Sequence, residues 1–247
     1  MMQNDSVGVI LAAVEGKRMG GLPKGLINIG GEPVLGRLAK AIKEATGNTA
    51  IAVVGHKQEE IRKALGNILI YAEQKEQLGT AHALLSAKDA CASAERIAVF
   101  YGDHPFVSVQ TMKRLLEKSG QSKAEITLAT TMVPNFENEY KIFVNFARIL
   151  RDDKKITGIR EYKDASENEK NIREVNPGYY VFDAKWLWPH LEKVGNNNAQ
   201  GEYYLTDLLH MAQNDGVKIE SIEIPPREAM GANSKEELEI LESLVLE

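Results

Sequence analysis

The sequence predicts an α/β fold whose core is a mainly parallel sheet, with a β-rich region inserted into it or appended to it. Three observations carry this prediction. Short continuous apolar runs such as "SVGVILAA" and "RIAVFYGD" have the composition of strands buried on both faces. Segments of helical spacing alternate with them through about residue 130, the pattern of parallel βαβ units. Beyond that point strand-like segments follow one another with little helix between them. With 247 residues, 43% hydrophobic and 26% charged, the chain can bury a sizeable core, and a single domain over 1–247 is expected.

In chain order, "SVGVILAA" is the first strand, and "PVLGRLAKAIKEA" a helix with Leu35, Leu38 and Ile42 on one side. "TAIAVVG" reads as a strand, "KQEEIRKAL" as a helix and "NILIYA" as a strand. "TAHALLSAKDA" is a helix, "RIAVFYGD" a strand, and "SVQTMKRLLEKS" a helix beginning at Ser108. The β-rich region offers "EITLATTMV", "KIFVNFARIL", "KITGIREYK" and "REVNPGYYVF" as strands that form one wall of a pocket. "EYYLTDLLHMAQNDG" and "SKEELEILESLVL" return to helix, the second opened by a capping box of Ser234 and Glu237. In open sheets of this kind ligands sit beyond the carboxyl ends of the strands. Three loops leave such ends: after Ala13, after Ala72 and after Tyr101.

Composition narrows the function classes. A formal net charge of -5 argues against a general nucleic-acid binder. Cys91 is the only cysteine, which excludes an intrachain disulfide and a cysteine-based zinc cluster and fits a reducing compartment. The histidines at 56, 82, 104, 190 and 210 show no i, i+4 pairing, so a zinc site is not expected. "MMQNDS" is polar and the apolar run after it is short, so neither a signal peptide nor a membrane span is expected, and the location expected is cytoplasmic.

Four segments can carry chemistry. In "GVILAAVEGKRMGGLPK" the amides of a strand-to-turn junction, with Arg18 and Lys24 beside them, suit phosphate oxygens. A solvated loop with stray cations has the same composition. In "YGDHP", Asp103 past a buried strand suits Mg²⁺, which prefers carboxylate oxygens, or else it is a turn residue before Pro105. His104 beside it reads as lining the loop. "EQKEQLGTAHAL" offers Gln74 to a base edge and Gly79–Thr80 at a helix start, with a plain loop and N-cap threonine as the alternative. "NNNAQGEYYLTD" is a polar run whose tyrosine pair enters a helix, or a simple surface loop.

"LAAVEGKRM…LPK", "EQKEQLGTAHAL", "FYGDHPFVS", "TGIREYKDASENEKNIREVNPG" and "NNNAQGEYYLTDLL" occur in this order over nearly the whole chain. Together they closely resemble the sugar nucleotidyltransferase family, and within it the pyrophosphorylase domain of the bacterial N-acetylglucosamine-1-phosphate uridylyltransferases. The resemblance implies a Rossmann-like three-layer fold with a mixed, mainly parallel sheet and an inserted β region. It implies a nucleotide-binding half over about 1–130, a sugar-binding half over about 131–230 and a C-terminal helix at 234–247. The left-handed β-helix acetyltransferase domain of the bifunctional members is not expected.

By the same resemblance, Arg18 and Lys24 are the catalytic cations that hold the triphosphate. Leu11, Ala12, Ala13 and Val14 supply the nucleotide loop, Gln74, Gly79 and Thr80 read the uracil, and Tyr101 and Gly102 complete the nucleotide site. Asp103 and Asn233 ligate Mg²⁺ and border the sugar, which Ala147, Glu161 and Asn176 also contact, with Tyr204 and Thr206 nearby. The implied partners are a nucleoside triphosphate and a sugar 1-phosphate, on a monomer or weak dimer. The implied reaction is Mg²⁺-assisted in-line attack of N-acetylglucosamine 1-phosphate on the α-phosphate of UTP, releasing pyrophosphate. A sugar 1-phosphate is already an anionic nucleophile, so positioning and cations matter more than a strong base.

Three positions depart from the family pattern. Val14 replaces the glycine of "LAAG", Ala147 stands where a glycine amide faces the N-acetyl group, and Pro177 follows Asn176 where threonine is common. These leave open the same chemistry on another sugar 1-phosphate or nucleotide, and a catalytically silent nucleotide-sugar-binding module.

Overall fold

The computed structural model describes residues 5–13, 23–55 and 57–245. Val14 and Arg18 lie outside the described residues, as does the side chain of Lys24. The elements in chain order are β1 (Ser6–Leu11), β2 (Asn28–Ile29), β3 (Glu32–Pro33), α1 (Val34–Thr46), β4 (Ile51–Val54), α2 (Gln58–Leu65) and β5 (Ile70–Glu73). Then come α3 (Thr80–Leu85), β6 (Arg96–Tyr101), α4 (Val109–Ser122), β7 (Ile126–Met132), β8 (Ala147–Asp152) and β9 (Lys155–Arg160). The chain continues through α5 (Glu167–Lys170), β10 (Glu174–Asn176), β11 (Tyr180–Asp183), α6 (Ala184–Leu191), α7 (Asp207–Asn214), β12 (Ile219–Glu223), α8 (Pro226–Ala229) and α9 (Lys235–Val245). No described helix is long and apolar enough to cross a membrane.

The main sheet runs β5-β4-β1-β6-β11-β7-β10-β8-β9, with β12 beside β7. Strands β5, β4, β1 and β6 are mutually parallel, as the βαβ alternation requires. Their apolar runs are continuous because both faces are covered. Ile10 and Ala52 face a core filled by α1, α2, α4 and α9, whereas Val9, Leu11 and Val53 face one filled by α3, α6 and α7. The layers are therefore helix, sheet, helix.

The sheet forks at one point. β10 and β11 both run antiparallel to β7, β10 beside Thr131 and Met132 and β11 beside Ile126 to Leu128, with an irregularity at Pro177–Gly178 between them. On their other side they part company: β10 takes β8, and β11 takes β6. Gly178 makes the fork possible. Its φ is +81°, and a Cβ there would stand 2.0 Å from the Tyr101 ring. The end of β6 and the start of β8 are thereby held apart, which opens a cleft between the parallel half and the inserted β region.

Several predicted boundaries are corrected. "REVNPGYYVF" is two strands rather than one, for the reason just given. "KIFVNFARIL" is strand only from Ala147; Asn138–Phe143 forms 3-10 turns. Arg148 explains this: its buried guanidinium donates to the carbonyls of Phe143, Val144, Phe146 and Lys170, so the chain before it wraps round a cation instead of pairing. The helix expected from Glu202 begins only at Asp207, because Tyr203 N–H donates to Leu78 O (2.8 Å) and Tyr203 O accepts from Ala81 N (2.9 Å). "NILIYA" is strand only from Ile70, after a 3-10 turn at Gly66–Ile68, and the helix at Thr80 ends at Leu85. Helix α6 and strand β12 were not expected. The start at Ser108 holds, its hydroxyl accepting Thr111 N–H at 3.1 Å. Glu237 N–H does reach Ser234 Oγ (3.2 Å), but the Glu237 carboxylate takes the N–H of Asn233 (2.5 Å) rather than that of Ser234.

Candidate active site

The loops after β1, β5 and β6 converge at the carboxyl ends of the parallel strands. Between them lies a cavity of about 170 Å³ lined by Leu11, Ala13, Gln74, Gly79, Thr80 and Tyr101, among others. Six residues expected from the sequence thus meet at one place, drawn from three segments up to ninety positions apart. Ala12 and Gly102 stand just behind: Gly102 N–H donates to Leu11 O (3.0 Å), and its missing Cβ leaves room for Ala12. A larger cavity, about 570 Å³, opens at the amino ends of the strands beside Ser6, Arg96, Lys113 and Asp183. None of the expected residues lines it, and its charges are mixed, so the smaller one is the candidate site.

Gln74 is 4% exposed, and its amide nitrogen lies 3.2 Å from Gly79 O and 3.0 Å from His82 Nδ1. With both hydrogens engaged there, the capacity left to the side chain is that of its oxygen, an acceptor. The loop after β5 is also stitched to a distant one. Leu205 N–H donates to Thr80 Oγ1 at 2.9 Å, alongside the two Tyr203 bonds described above. Burial, reinforced by the charge of Glu161, holds the Tyr101 hydroxyl above its ordinary pKa, so this group faces the cavity neutral.

The inserted region brings a second set together. Ala147 pairs with Asn176 in the β8–β10 ladder, and Glu161 follows directly after β9. The Asn176 amide is turned inward, donating to Tyr180 Oη (2.6 Å) and accepting from Gly178 N–H (3.0 Å), so it holds the fork as well as bordering the cleft. Tyr204 and Thr206 are buried, and Thr206 Oγ1 donates to Glu161 Oε1 at 2.9 Å. "NNNAQG" is tied down by Ala199 N–H on Asp164 and by Gln200 on Tyr204.

Burial pushes the Glu161 carboxyl above the ordinary carboxylate range; the Thr206 hydroxyl opposes the rise, and the charges of Asp164, Asp207 and Glu202 add to it. A carboxyl raised in the fold contributes stability below its ordinary pKa, and that contribution is lost as pH rises through the raised value. Glu161→Gln cannot ionise. Its melting temperature is expected to match the wild type at low pH and to exceed it increasingly as pH rises above the ordinary carboxylate range. A gap that narrows with rising pH would overturn this account.

Asp103 and Asn233, distant in sequence, are brought close by their neighbours: Ala232 N–H donates to Asp103 O at 3.2 Å. The Asp103 side chain is 15% exposed. Among the described residues no group of three or more His, Cys, Asp or Glu is placed to hold a metal by itself. A carboxylate and an amide oxygen are hard donors, and Mg²⁺ characteristically takes one or two such ligands and completes its shell with waters and substrate phosphates. The donor set fits that ion.

Two residues of the site carried no role in the sequence reading. Gln77 Nε2 donates to Ala13 O at 2.6 Å, joining the loop after β5 to the end of β1, and Glu202 borders the same cavity. Both lie inside quoted motifs, but nothing in their type or spacing marks them.

Comparison with known proteins bears on the family and the fold. The chain is 38% identical over 247 residues to the bifunctional protein GlmU of Neisseria meningitidis serogroup C, covering 99% of this chain and 52% of that protein. It is 34% identical over 241 residues to that of Clostridium novyi, covering 96% and 51%. The chain thus spans about half the length of the curated relatives it matches. Among solved structures, a Bacillus anthracis protein described as a glucose-1-phosphate thymidylyltransferase superposes with a TM-score of 0.78 at 20% identity, covering 97% of this chain and 94% of that one. A UDP-glucose pyrophosphorylase complexed with UDP-glucose gives 0.72 at 17% identity, covering 98% and 99%. These two likenesses establish the shared fold, a mixed sheet parallel at its core. Residues 8–206 match the MobA-like NTP transferase domain, and the chain belongs to that family.

Proposed function

We propose that the chain is a sugar nucleotidyltransferase that joins UTP to N-acetylglucosamine 1-phosphate, forming UDP-N-acetylglucosamine and releasing pyrophosphate. The observation that carries this reading is the base-side cavity, whose buried Gln74 side chain is turned to present an acceptor. The imide N–H of uracil or thymine is a donor and suits it; cytosine presents an acceptor at that place and does not. The resemblance of the five ordered motifs to the N-acetylglucosamine-1-phosphate uridylyltransferases supports the choice of sugar. Residues 1–247 are read as one unit, with the nucleotide bound by about 1–130 and the sugar by about 131–230.

Arg18 and Lys24 hold the triphosphate and its transition-state charge, and Leu11, Ala12 and Ala13, with position 14 completing the loop, supply backbone contacts to the nucleotide, the Ala12 N–H itself being given to Val53 O. Glu161, backed by Thr206, accepts from sugar hydroxyls beside Asn176. Asp103 and Asn233 hold Mg²⁺, which when bound supplies electrostatic neutralisation of the phosphate charge. The sugar phosphate oxygen needs no base; it is aligned with the α-phosphorus by the walls of the cleft. Ala147 supports a second reading, glucose 1-phosphate as the sugar, because its methyl stands 5% exposed at the start of β8 against Asn176.

The test is pyrophosphate release over a matrix of UTP, TTP and CTP against N-acetylglucosamine 1-phosphate and glucose 1-phosphate. UTP with N-acetylglucosamine 1-phosphate is expected to turn over fastest and CTP slowest. Preference for glucose 1-phosphate that Ala147→Gly reverses would move the conclusion to the second reading. No turnover with any pair would overturn both.

A further inference from the structure

His104 and Tyr179 are buried polar residues that the proposed chemistry does not use. His104 is 6% exposed and Tyr179 is fully buried. Tyr179 Oη lies 2.7 Å from Glu228 O and 2.9 Å from His104 Nδ1. A phenol has one hydrogen to give. The Glu228 carbonyl can only accept, so that hydrogen is directed to it, and the Tyr179 oxygen must accept from His104. Nδ1 therefore carries a hydrogen; Nε2, on the far side of the ring, lies 3.6 Å from Asp103 Oδ1, beyond hydrogen-bond reach, so the ring bears on residue 103 through the adjoining backbone rather than through a bond to its carboxylate.

We propose that His104 and Tyr179 are positioning residues that set the Asp103 carboxylate against the Asn233 segment, through a chain running from His104 Nδ1–H to Tyr179 and from Tyr179 O–H to the Glu228 carbonyl. The inference rests on the reading that Asp103 and Asn233 hold the metal.

The surroundings leave the ring little freedom. It stacks on Phe146 with centroids 5.9 Å apart and meets Tyr179 edge-on at 5.4 Å. A Cβ on Gly231 would stand 2.1 Å from His104 Cδ2, so only glycine lets the 231–233 backbone lie against the imidazole. Two further bonds run in parallel: Ser108 N–H to Glu228 Oε2 (2.9 Å) and Ala232 N–H to Asp103 O (3.2 Å). Segments at 103–108, 179 and 228–233 are thus laced into one unit around the ring. Burial, with the charges of Asp103 and Glu228, holds the Tyr179 phenol well above its ordinary pKa, which keeps the donor protonated. A phenylalanine would fill the same volume; what the hydroxyl adds is direction. Outer partners of this kind commonly change metal affinity 10- to 100-fold, roughly, when removed.

The test is Tyr179→Phe, followed by Mn²⁺ binding through water-proton relaxation, with the protein alone and with UDP-N-acetylglucosamine. The Mn²⁺ dissociation constant is expected to rise about 10-fold, and the Mg²⁺ needed for half-maximal turnover to rise with it. Nucleotide affinity in EDTA should stay unchanged, an outcome a merely structural loss would not give. His104→Gln keeps a polar group toward Asp103 but releases Tyr179, and it serves if Tyr179→Phe melts too low; the same weakening is expected. Asp103→Asn is the reference arm. If it leaves Mn²⁺ binding intact, the metal reading fails. If it abolishes binding while Tyr179→Phe and His104→Gln leave binding at the wild-type value, this inference alone is overturned.

Discussion

Asp103→Asn is expected to lower turnover by about 3 kcal/mol, roughly a hundredfold at 25 °C, with the melting temperature unchanged. The two halves of this result come from different atoms. The fold uses the backbone of residue 103, whose carbonyl accepts Ala232 N–H, and the neighbouring Gly102 N–H on Leu11 O. An amide side chain disturbs neither. The proposed chemistry uses the carboxylate, which leaves the end of β6 at the mouth of the cleft. An amide there is neutral, and a hard cation loses an anionic ligand just where phosphate charge must be held. Turnover measured across a Mg²⁺ series, beside thermal melts, checks both halves. A near-native rate at limiting Mg²⁺ would count against Asp103 as a ligand. A large drop in melting temperature would mean that the carboxylate stabilises the fold rather than the metal.

What the sequence could and could not disclose follows the reach of the interactions. β1, β4 and β6 are legible because each is a short apolar run with both faces covered, and α1 and α4 because their buried residues recur every three or four positions. Segments 141–146 and 202–206 carry local propensities that specific partners override, a neighbouring side chain in the first and a distant loop in the second. In the first the partner is the Arg148 guanidinium, and in the second it is the 78–81 loop. α6 contains Pro189, which argues locally against a helix although Asp183 caps it. The site divides the same way. Asp103, Gln74 and Gly79 stand in motifs that a family resemblance can read. Gln77 on Ala13 and His104 on Tyr179 join residues 64 and 75 positions apart, and no local pattern marks either pair.

Gly79→Ala is expected to do more damage than any other single methyl in the base-side wall. Gly79 has φ +117°, a conformation that strains an L side chain by about 1–3 kcal/mol. The added Cβ would also stand 2.6 Å from Tyr203 O and 2.7 Å from Tyr203 N, both of them backbone atoms. Those atoms cannot swing away as a side chain would. They are the atoms bonded to Ala81 and Leu78, so admitting the methyl breaks both bonds and loosens Leu205 from Thr80. Two or three hydrogen bonds at about 1 kcal/mol each, added to the strain, put the loss near 4 kcal/mol, or roughly 10 °C in a chain of this size. The stitched segment carries Tyr204 and Thr206 toward Glu161, while Gly79 O is an acceptor for Gln74. Both sides of the cleft therefore relax together, and KM should rise for nucleotide and sugar phosphate alike, about 10-fold or more. Gly195→Ala supplies the control, since nothing lies within 4 Å of its added Cβ and its φ is not positive. If Gly79→Ala melts and binds like Gly195→Ala, the stitch between the 78–81 and 203–205 loops does not hold the cleft, and the coupling of base and sugar subsites drawn from it falls.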